Sequence, residues 1–242
     1  MRADSALSAE IYGIGVGPGD PGLLTLEAAR VLAAVDLVFA PAPRSGETSL
    51  AWEIARAAGA EKAELRLLSF PMSRDAAELD AAWAESAGAV AVELDRGRKA
   101  AFVTLGDSSI YSTWTYLRRA LESRRPGTKI AAIPGITALG AAAARLGLPL
   151  VEGEERLALL PLPATAADLD VFLPLVDTLG IYKIGSRLPE LADYLRSRGL
   201  EEGASLAAGV GLARERLGPF AEAAEGAEGY LSLVIARTGR SR

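Results

Sequence analysis

Short apolar runs alternate along this chain with stretches in which apolar residues recur every three or four positions. The first run, EIYGIGVGPGD (10–20), ends in a glycine-rich turn. A helical stretch follows over 23–34, where Leu24, Glu27, Ala28 and Val31 stand at helical spacing. DLVFAP (36–41) reads as a buried strand stopped by Pro41, residues 50–58 as a helix, and ELRLLSF (64–70) as an alternating strand. Ser73 or Asp75 is placed to cap a long helix over 76–96. AAFVTLGD (100–107) is a strand ending in a turn, 111–123 a helix, KIAAIPG (129–135) a fifth strand and 136–146 a fifth helix.

Apolar strands separated by helices are the pattern of parallel βαβ units. Residues 1–148 are therefore expected to form an N-terminal α/β domain around a five-stranded parallel sheet with flanking helices. Beyond Leu148 the texture changes. LALLPLP (157–163), TLGIYKI (178–184), SLAAGV (205–210), ERLGPF (215–220) and YLSLVIA (230–236) are short strand candidates, with one clear helix among them at 188–198. This predicts a C-terminal α/β domain, 149–242, built on a mixed sheet, with the boundary inside LGLPLVEGEE (146–155).

Composition narrows the chemistry. Half the residues are apolar and 24% are charged, enough for packed cores. There is no cysteine, so no disulfide, thiolate–zinc site or thiol nucleophile. There is no histidine, which removes the commonest metal ligand and the usual general base of hydrolases. No metal site is expected. A net charge of −5 argues against nucleic acid or an anionic membrane as partner. The first ten residues carry Arg2, Asp4 and Glu10 without an apolar segment, and the longest uncharged stretch, 130–144, is too short to span a bilayer. The expected location is cytoplasmic.

In parallel sheets ligands sit beyond the carboxyl ends of the strands. Here three strands end in loops of unusual chemistry: GVGPGD, LGDSSIYST and IPGIT. The first, continued to Gly22, fits the letters of a dinucleotide fingerprint, but Pro18 and Pro21 remove N–H donors that a pyrophosphate needs, and Asp20 would repel it. The acid that should close the second strand is missing too, since Asp36 opens it. Asp107, Ser112, Thr113 and Thr137 offer carboxylate and hydroxyl groups, which suit a ribose diol or an ammonium. A cofactor with ribose and ammonium but no phosphate points to S-adenosylmethionine. A second reading of Ser112 and Thr113 stays open, that they cap the following helix.

At these residues the chain resembles the tetrapyrrole (corrin/porphyrin) methylase family. The resemblance runs through GIGVGPGDPGLLTLEAARVLAAVDLVFAP (13–41), FPMSRDAAELDAAW (70–83), TLGDSSIYSTWTYL (104–117), IPGITALGAAAARLGLPLVEGEERLALLP (133–161), TLGIYKIGSRLPELADYLRSRGL (178–200) and YLSLVIAR (230–237). FPMSRD, the GD and YST of the second loop, GLPLVEGEE and YKIGSRLPEL together are similar to the branch that methylates carbon 20 of precorrin-2 or cobalt-factor II. The resemblance implies a two-domain homodimeric methyltransferase of cobalamin biosynthesis, with the cofactor in a cleft between the domains and a tetrapyrrole as substrate. It implies cofactor contacts from Pro18; from Leu105, Gly106, Asp107, Ile110, Ser112 and Thr113; from Thr137 and Ala138; from Tyr182 and Lys183; and from Gly211, Leu231 and Ser232. The alternatives within this reading are a different target carbon and a non-catalytic tetrapyrrole-binding relative. Two departures bear on it: Ser108 stands where the family usually has proline, predicting a softer loop, and Gly209 where relatives often carry arginine.

Methyl transfer from a sulfonium asks mainly for alignment, which can supply roughly 7–11 kcal/mol. A chain without histidine is compatible with it. Tyr111 and Asp107 are the candidates, beside solvent and the substrate's pyrrolic nitrogens, for taking the proton that leaves carbon 20. The substrate's eight carboxylates require local cations on an acidic protein. Arg44, Arg74, Lys183 and Arg187 are the expected set.

Overall fold

The computed structural model describes residues 7–42, 49–71, 75–227, 229 and 231–240, and its contacts divide the chain into two compact units, Met1–Thr137 and Ala138–Arg242. The first unit is a five-stranded parallel sheet of β1 (Ile11–Gly15), β2 (Leu37–Pro41), β3 (Glu64–Leu68), β4 (Ala100–Thr104) and β5 (Ile130–Ile133), in the order β3-β2-β4-β1-β5. Side chains alternate across it. Ile14, Val38, Ala101 and Val103 pack with α1 (Leu26–Leu32) and α2 (Leu50–Ala57) on one face. Ile11, Phe39 and Phe102 pack with α3 (Ala76–Asp95) and α4 (Trp114–Arg124) on the other. Chain leaving β1 therefore turns to one face and chain leaving β4 to the other. Adjacent strands with diverging exits form the crevice where sheets of this class bind ligands.

Helix starts differ from the pattern-based expectation for local reasons. Asp20 accepts from the Gly22 N–H (2.8 Å) and closes a 3-10 turn at Pro21–Leu23. Thr25 then accepts from the Ala28 N–H (3.2 Å), so α1 begins at Leu26 and not at Leu23. α4 begins at Trp114 and not at 111, because Tyr111 is left-handed (φ 51°) and the Ser112 hydroxyl accepts from the Trp114 N–H (3.1 Å). Asp75 caps α3 through the Ala77 and Glu78 N–H groups; Ser73 lies outside the described residues.

The second unit opens with α5 (Ala138–Leu146), which packs against strands of its sheet. The contact division falls one helix earlier than a boundary after Leu148. Its strands are β6 (Leu157–Pro161), β7 (Thr178–Tyr182), β8 (Ala204–Ala208), β9 (Arg216–Pro219) and β10 (Ser232–Arg237), ordered β6-β7-β10-β8-β9. β6 and β7 pair in parallel and the remaining pairs are antiparallel, the mixed sheet that the sequence predicts. Leu179, Ile181, Leu206, Val234 and Phe220 form its core with Leu191 and Leu195 of α6 (Leu188–Ser197); a short α7 (Phe220–Ala223) follows β9. Among the described residues no helix is long and apolar enough to cross a membrane, and no group of three or more acidic side chains is placed to hold a metal ion.

Candidate active site

At the carboxyl ends of β4, β1 and β5 three backbones meet at glycines. A Cβ added to Gly15 would lie 2.6 Å from the Gly106 carbonyl oxygen and 2.7 Å from the Gly135 nitrogen. One added to Gly135 would lie 2.1 Å from that same oxygen. Only hydrogen in place of a side chain admits this approach. Reciprocal backbone bonds lock the first two loops together, Gly17 N–H to Gly106 O (3.1 Å) and Gly106 N–H to Gly17 O (2.7 Å), across the crevice between β1 and β4. Gly17 and Gly106 are left-handed (φ 81° and 67°), and Pro18 is buried beside them.

Asp107 clamps this junction. One carboxylate oxygen accepts from the Gly135 N–H (2.8 Å) and the other from the Ser109 N–H (2.8 Å) and the Ser109 hydroxyl. Burial pushes the carboxyl up, and the hydrogen bonds from Ser109, Gly135 and Ser108 outweigh it, holding it below its ordinary range. Ser108 is buried, and its hydroxyl donates to the Ile133 carbonyl (3.4 Å), an anchor that a proline would lack. Ser112, also buried, donates to Thr104 (3.2 Å) while capping Trp114, whereas Thr113 makes no capping bond. Leu105, Ile110, Thr113 and Thr137 are half-buried around the loops, and Tyr111 is 43% exposed. Burial raises the Tyr111 phenol, so neither it nor Asp107 has the character of a base near neutrality.

The depressed Asp107 group carries a sign. Its folded-state value lies below the unfolded one, so its stabilisation is complete above the unfolded carboxyl's range and fades as pH falls through the folded value. Asp107→Asn is therefore expected to melt below the wild type at neutral pH, with the gap narrowing below about pH 4. Calorimetric melts of both proteins across that range check this. A gap that stays constant with pH would show the carboxylate's charge to be idle.

The second unit gathers its candidates in the same manner at one end of its sheet. The β10–β8 and β10–β7 registers, Ser232 opposite Ala208 and Val234 opposite Ile181, bring the end of β7, the end of β8 and the start of β10 side by side. Tyr182 and Lys183, Gly209 to Gly211, and Leu231 with Ser232 occupy these ends. Gly209 N–H donates to the Leu231 carbonyl (3.0 Å), and Ser232 is buried with its hydroxyl on the Gly229 carbonyl (2.6 Å). The Tyr182 hydroxyl accepts from the Leu139 N–H (2.8 Å), which seats the start of α5, and so Ala138, beside β7. Gly209 is left-handed (φ 58°), a conformation that an arginine there would hold only under strain.

Among the described residues, the non-glycine positions with positive φ are Tyr111, Lys183 and Leu231 (φ 51°, 54° and 55°), and all three belong to the loops singled out from sequence. Such backbone costs about 1–3 kcal/mol per residue and persists where the surroundings enforce it. Of the expected cations, Lys183 is exposed at the second loop cluster. Arg187 is held by Glu190 (2.7 Å) and by the Pro163 and Ala164 carbonyls (2.5 and 2.9 Å). Its guanidinium holds the Glu190 carboxyl down to about 2. Arg44 and Arg74 lie outside the described residues. Asp36 caps the Lys99 N–H (2.7 Å) at the amino ends of the strands, far from the place of a ribose-binding acid. Gly15, Gly135 and Glu215 are the positions that reasoning from sequence did not single out. The first two were inside recognised loops; Glu215 gave no local signal.

A doubly wound sheet with three glycine loops meeting at its crevice, and left-handed backbone at Tyr111 in the second of them, defines an α/β protein with its candidate site at the carboxyl ends of the strands. The chain belongs to the Tetrapyrrole (Corrin/Porphyrin) Methylases, whose profile matches residues 10–224. It is 36% identical over 196 residues to the cobalt-precorrin-2 C(20)-methyltransferase of Salmonella typhimurium, covering 81% of each chain. It is 32% identical to the precorrin-2 C(20)-methyltransferase of a Sinorhizobium species, covering 93% of this chain and 94% of that one. The fold is shared with uroporphyrin-III C-methyl transferase from Thermus thermophilus, solved in complex with S-adenyl homocysteine, at a TM-score of 0.65 and 22% identity over 94% of this chain and 92% of that one.

Proposed function

We propose that the protein transfers the methyl group of S-adenosylmethionine to carbon 20 of precorrin-2 or of its cobalt-bearing counterpart, in the assembly of the corrin ring. One observation carries this reading: relatives covering 81% and 93% of the chain are both named for that carbon. The loops fit the donor. They present backbone carbonyls, hydroxyls and a carboxylate-braced glycine junction, suited to ribose and ammonium groups, and the segments GVGPGD, LGDSSIYST and IPGIT carry no cation for a phosphate. The fold relative bound to S-adenyl homocysteine supports the same donor class.

The donor supplies a methyl already activated on a sulfonium, so alignment is the main demand on the protein. Gly15, Gly106 and Gly135 set the loop spacing, and Asp107 holds the third loop to the second. Pro18, Leu105, Gly106, Asp107, Ile110, Ser112, Thr113 and Thr137 in the first unit, with Ala138, Tyr182, Lys183, Gly211, Leu231 and Ser232 in the second, are the proposed donor contacts. Lys183, Arg44 and Arg74 are proposed to meet substrate carboxylates, with Arg187 holding the turn that follows Lys183. The proton lost from carbon 20 goes to solvent or to the substrate's pyrrolic nitrogens. The homodimer rests on the family resemblance and the cytoplasmic location on the reading of the sequence; light scattering at twice the 25.2 kDa chain mass is the expected result for the former.

Anaerobic assays with both tetrapyrroles and methyl-labelled donor test the reading. The expected outcome is one methyl group added to at least one of them, and the ratio of the two rates assigns the natural substrate. Saturable donor binding with transfer to neither tetrapyrrole would contradict it and favour a non-catalytic tetrapyrrole-binding role.

A further inference from the structure

We propose that Glu215 is a positioning residue of the donor site, acting through Gly211 and braced by Arg145. The segment after β8 turns through two left-handed glycines, Gly209 and Gly211 (φ 58° and 80°), closed by Leu212 N–H to Gly209 O (2.9 Å) and Glu215 N–H to Leu212 O (2.9 Å). Backbone of this kind has few conformational restraints of its own. Glu215 supplies one. Its carboxylate accepts from the Gly211 N–H at 2.5 Å, a charge-assisted bond that fixes the plane of that peptide. The same carboxylate takes Arg145 on both oxygens, at 2.8 and 2.7 Å. The side chains of the ion pair are about one third and one quarter exposed (34% and 23%), so solvent only partly screens it.

Arg145 stands near the end of α5, whose first residue is the candidate contact Ala138. The other end of that helix is held to β7 by the Leu139 N–H bond to the Tyr182 hydroxyl. Glu215 and Tyr182 thus pin α5 at both ends to segments that carry donor contacts, and the turn and the helix keep their places together. With its N–H taken by Glu215, Gly211 has its carbonyl left to offer a ligand, so it would accept from a donor group such as an amine and not bond an acceptor. Arg145 and Glu215 are 70 residues apart in sequence, and no spacing rule connects them.

The inference rests on the donor reading above, and calorimetric titration of the full chain with S-adenosylhomocysteine separates the two. Glu215→Ala is expected to weaken binding about tenfold, the effect of losing one charge-assisted bond. Glu215→Gln keeps an oxygen for the Gly211 N–H and is expected to recover to within about threefold of wild type. In turnover, Glu215→Ala should raise KM for the donor with kcat at saturation unchanged, a split that a general loss of stability would not produce. Wild-type affinity in a folded Glu215→Ala protein overturns the role. Where that variant does not fold, Arg145→Ala takes its place: loss of the brace is expected to weaken binding, and wild-type affinity overturns the role equally. A wild-type chain without affinity for S-adenosylhomocysteine overturns the donor reading itself.

Discussion

Gly135→Ala is expected to abolish measurable donor binding while leaving a folded but weakened protein. The added methyl would sit 2.1 Å from the Gly106 carbonyl oxygen and 2.6 Å from the Gly15 carbonyl carbon and oxygen. All of these are main-chain atoms, two of them at the end of β1, which lies between β4 and β5 in the sheet, so relief requires the loops after β1 and β4 to part from the loop after β5. That motion breaks the Asp107 bond to the Gly135 N–H and disturbs the Gly17–Gly106 bridge. Overpacking of this sort typically costs about 1–3 kcal/mol, whereas the geometric damage falls wholly on the ligand site. Gly97→Ala is the control, because Gly97 is also left-handed (φ 77°) but has nothing within 4 Å of a new Cβ. Titration with S-adenosylhomocysteine should show binding lost in the first variant and kept in the second. Intact binding in Gly135→Ala would remove the junction from the site.

The second large effect lies at the opposite end of the same sheet and touches stability alone. Glu93, in the last turn of α3, is fully buried and receives Arg66 (2.6 Å), Arg96 (2.7 Å) and Arg98 (3.0 Å). Glu64 binds Arg66 (2.9 Å) and Arg98 (2.7 Å) from the start of β3 and closes the network. A carboxylate at a helix carboxyl end is disfavoured by the helix dipole, and the arginines offset this. Removing the acid leaves three cations facing each other. Glu93→Ala is expected to destabilise by about 3 kcal/mol, the low end for a broken buried pair because the arginines reach solvent. That corresponds to a melting point lower by roughly 6–12 °C. Donor affinity should not change, since the network sits at the amino ends of the strands. A shift of a degree or less would mean that the cluster is as weak as an ordinary surface pair.

The strands were legible because their chemistry is local. IYGIG, LVFAP and AAFVT are apolar runs ended by glycine, proline or a polar turn, and each became a strand at its expected place. Helix starts were less legible where two caps compete: Asp20 and Thr25 both fit the cap pattern, and both are used, one for a 3-10 turn and one for α1. The three glycine loops were visible as loops, yet the contact that joins them was not, because Gly15, Gly106 and Gly135 meet only through the order of the strands. Asp107 shows the same limit. Its place after β4 marked it as a ligand group, and the fold gives both of its oxygens to Ser109 and Gly135. Arg187 stood in the branch-specific string for a contact with substrate, and the fold places Glu190 one helical turn away to hold it.

The most direct test of the central claim is the position of the transferred methyl. Anaerobic turnover with donor labelled with carbon-13 at the methyl, followed by NMR of the isolated tetrapyrrole, reads it in one measurement. The account predicts a single labelled methyl bonded to the bridging carbon at position 20. Label at any other ring carbon, or a product without label, would contradict it.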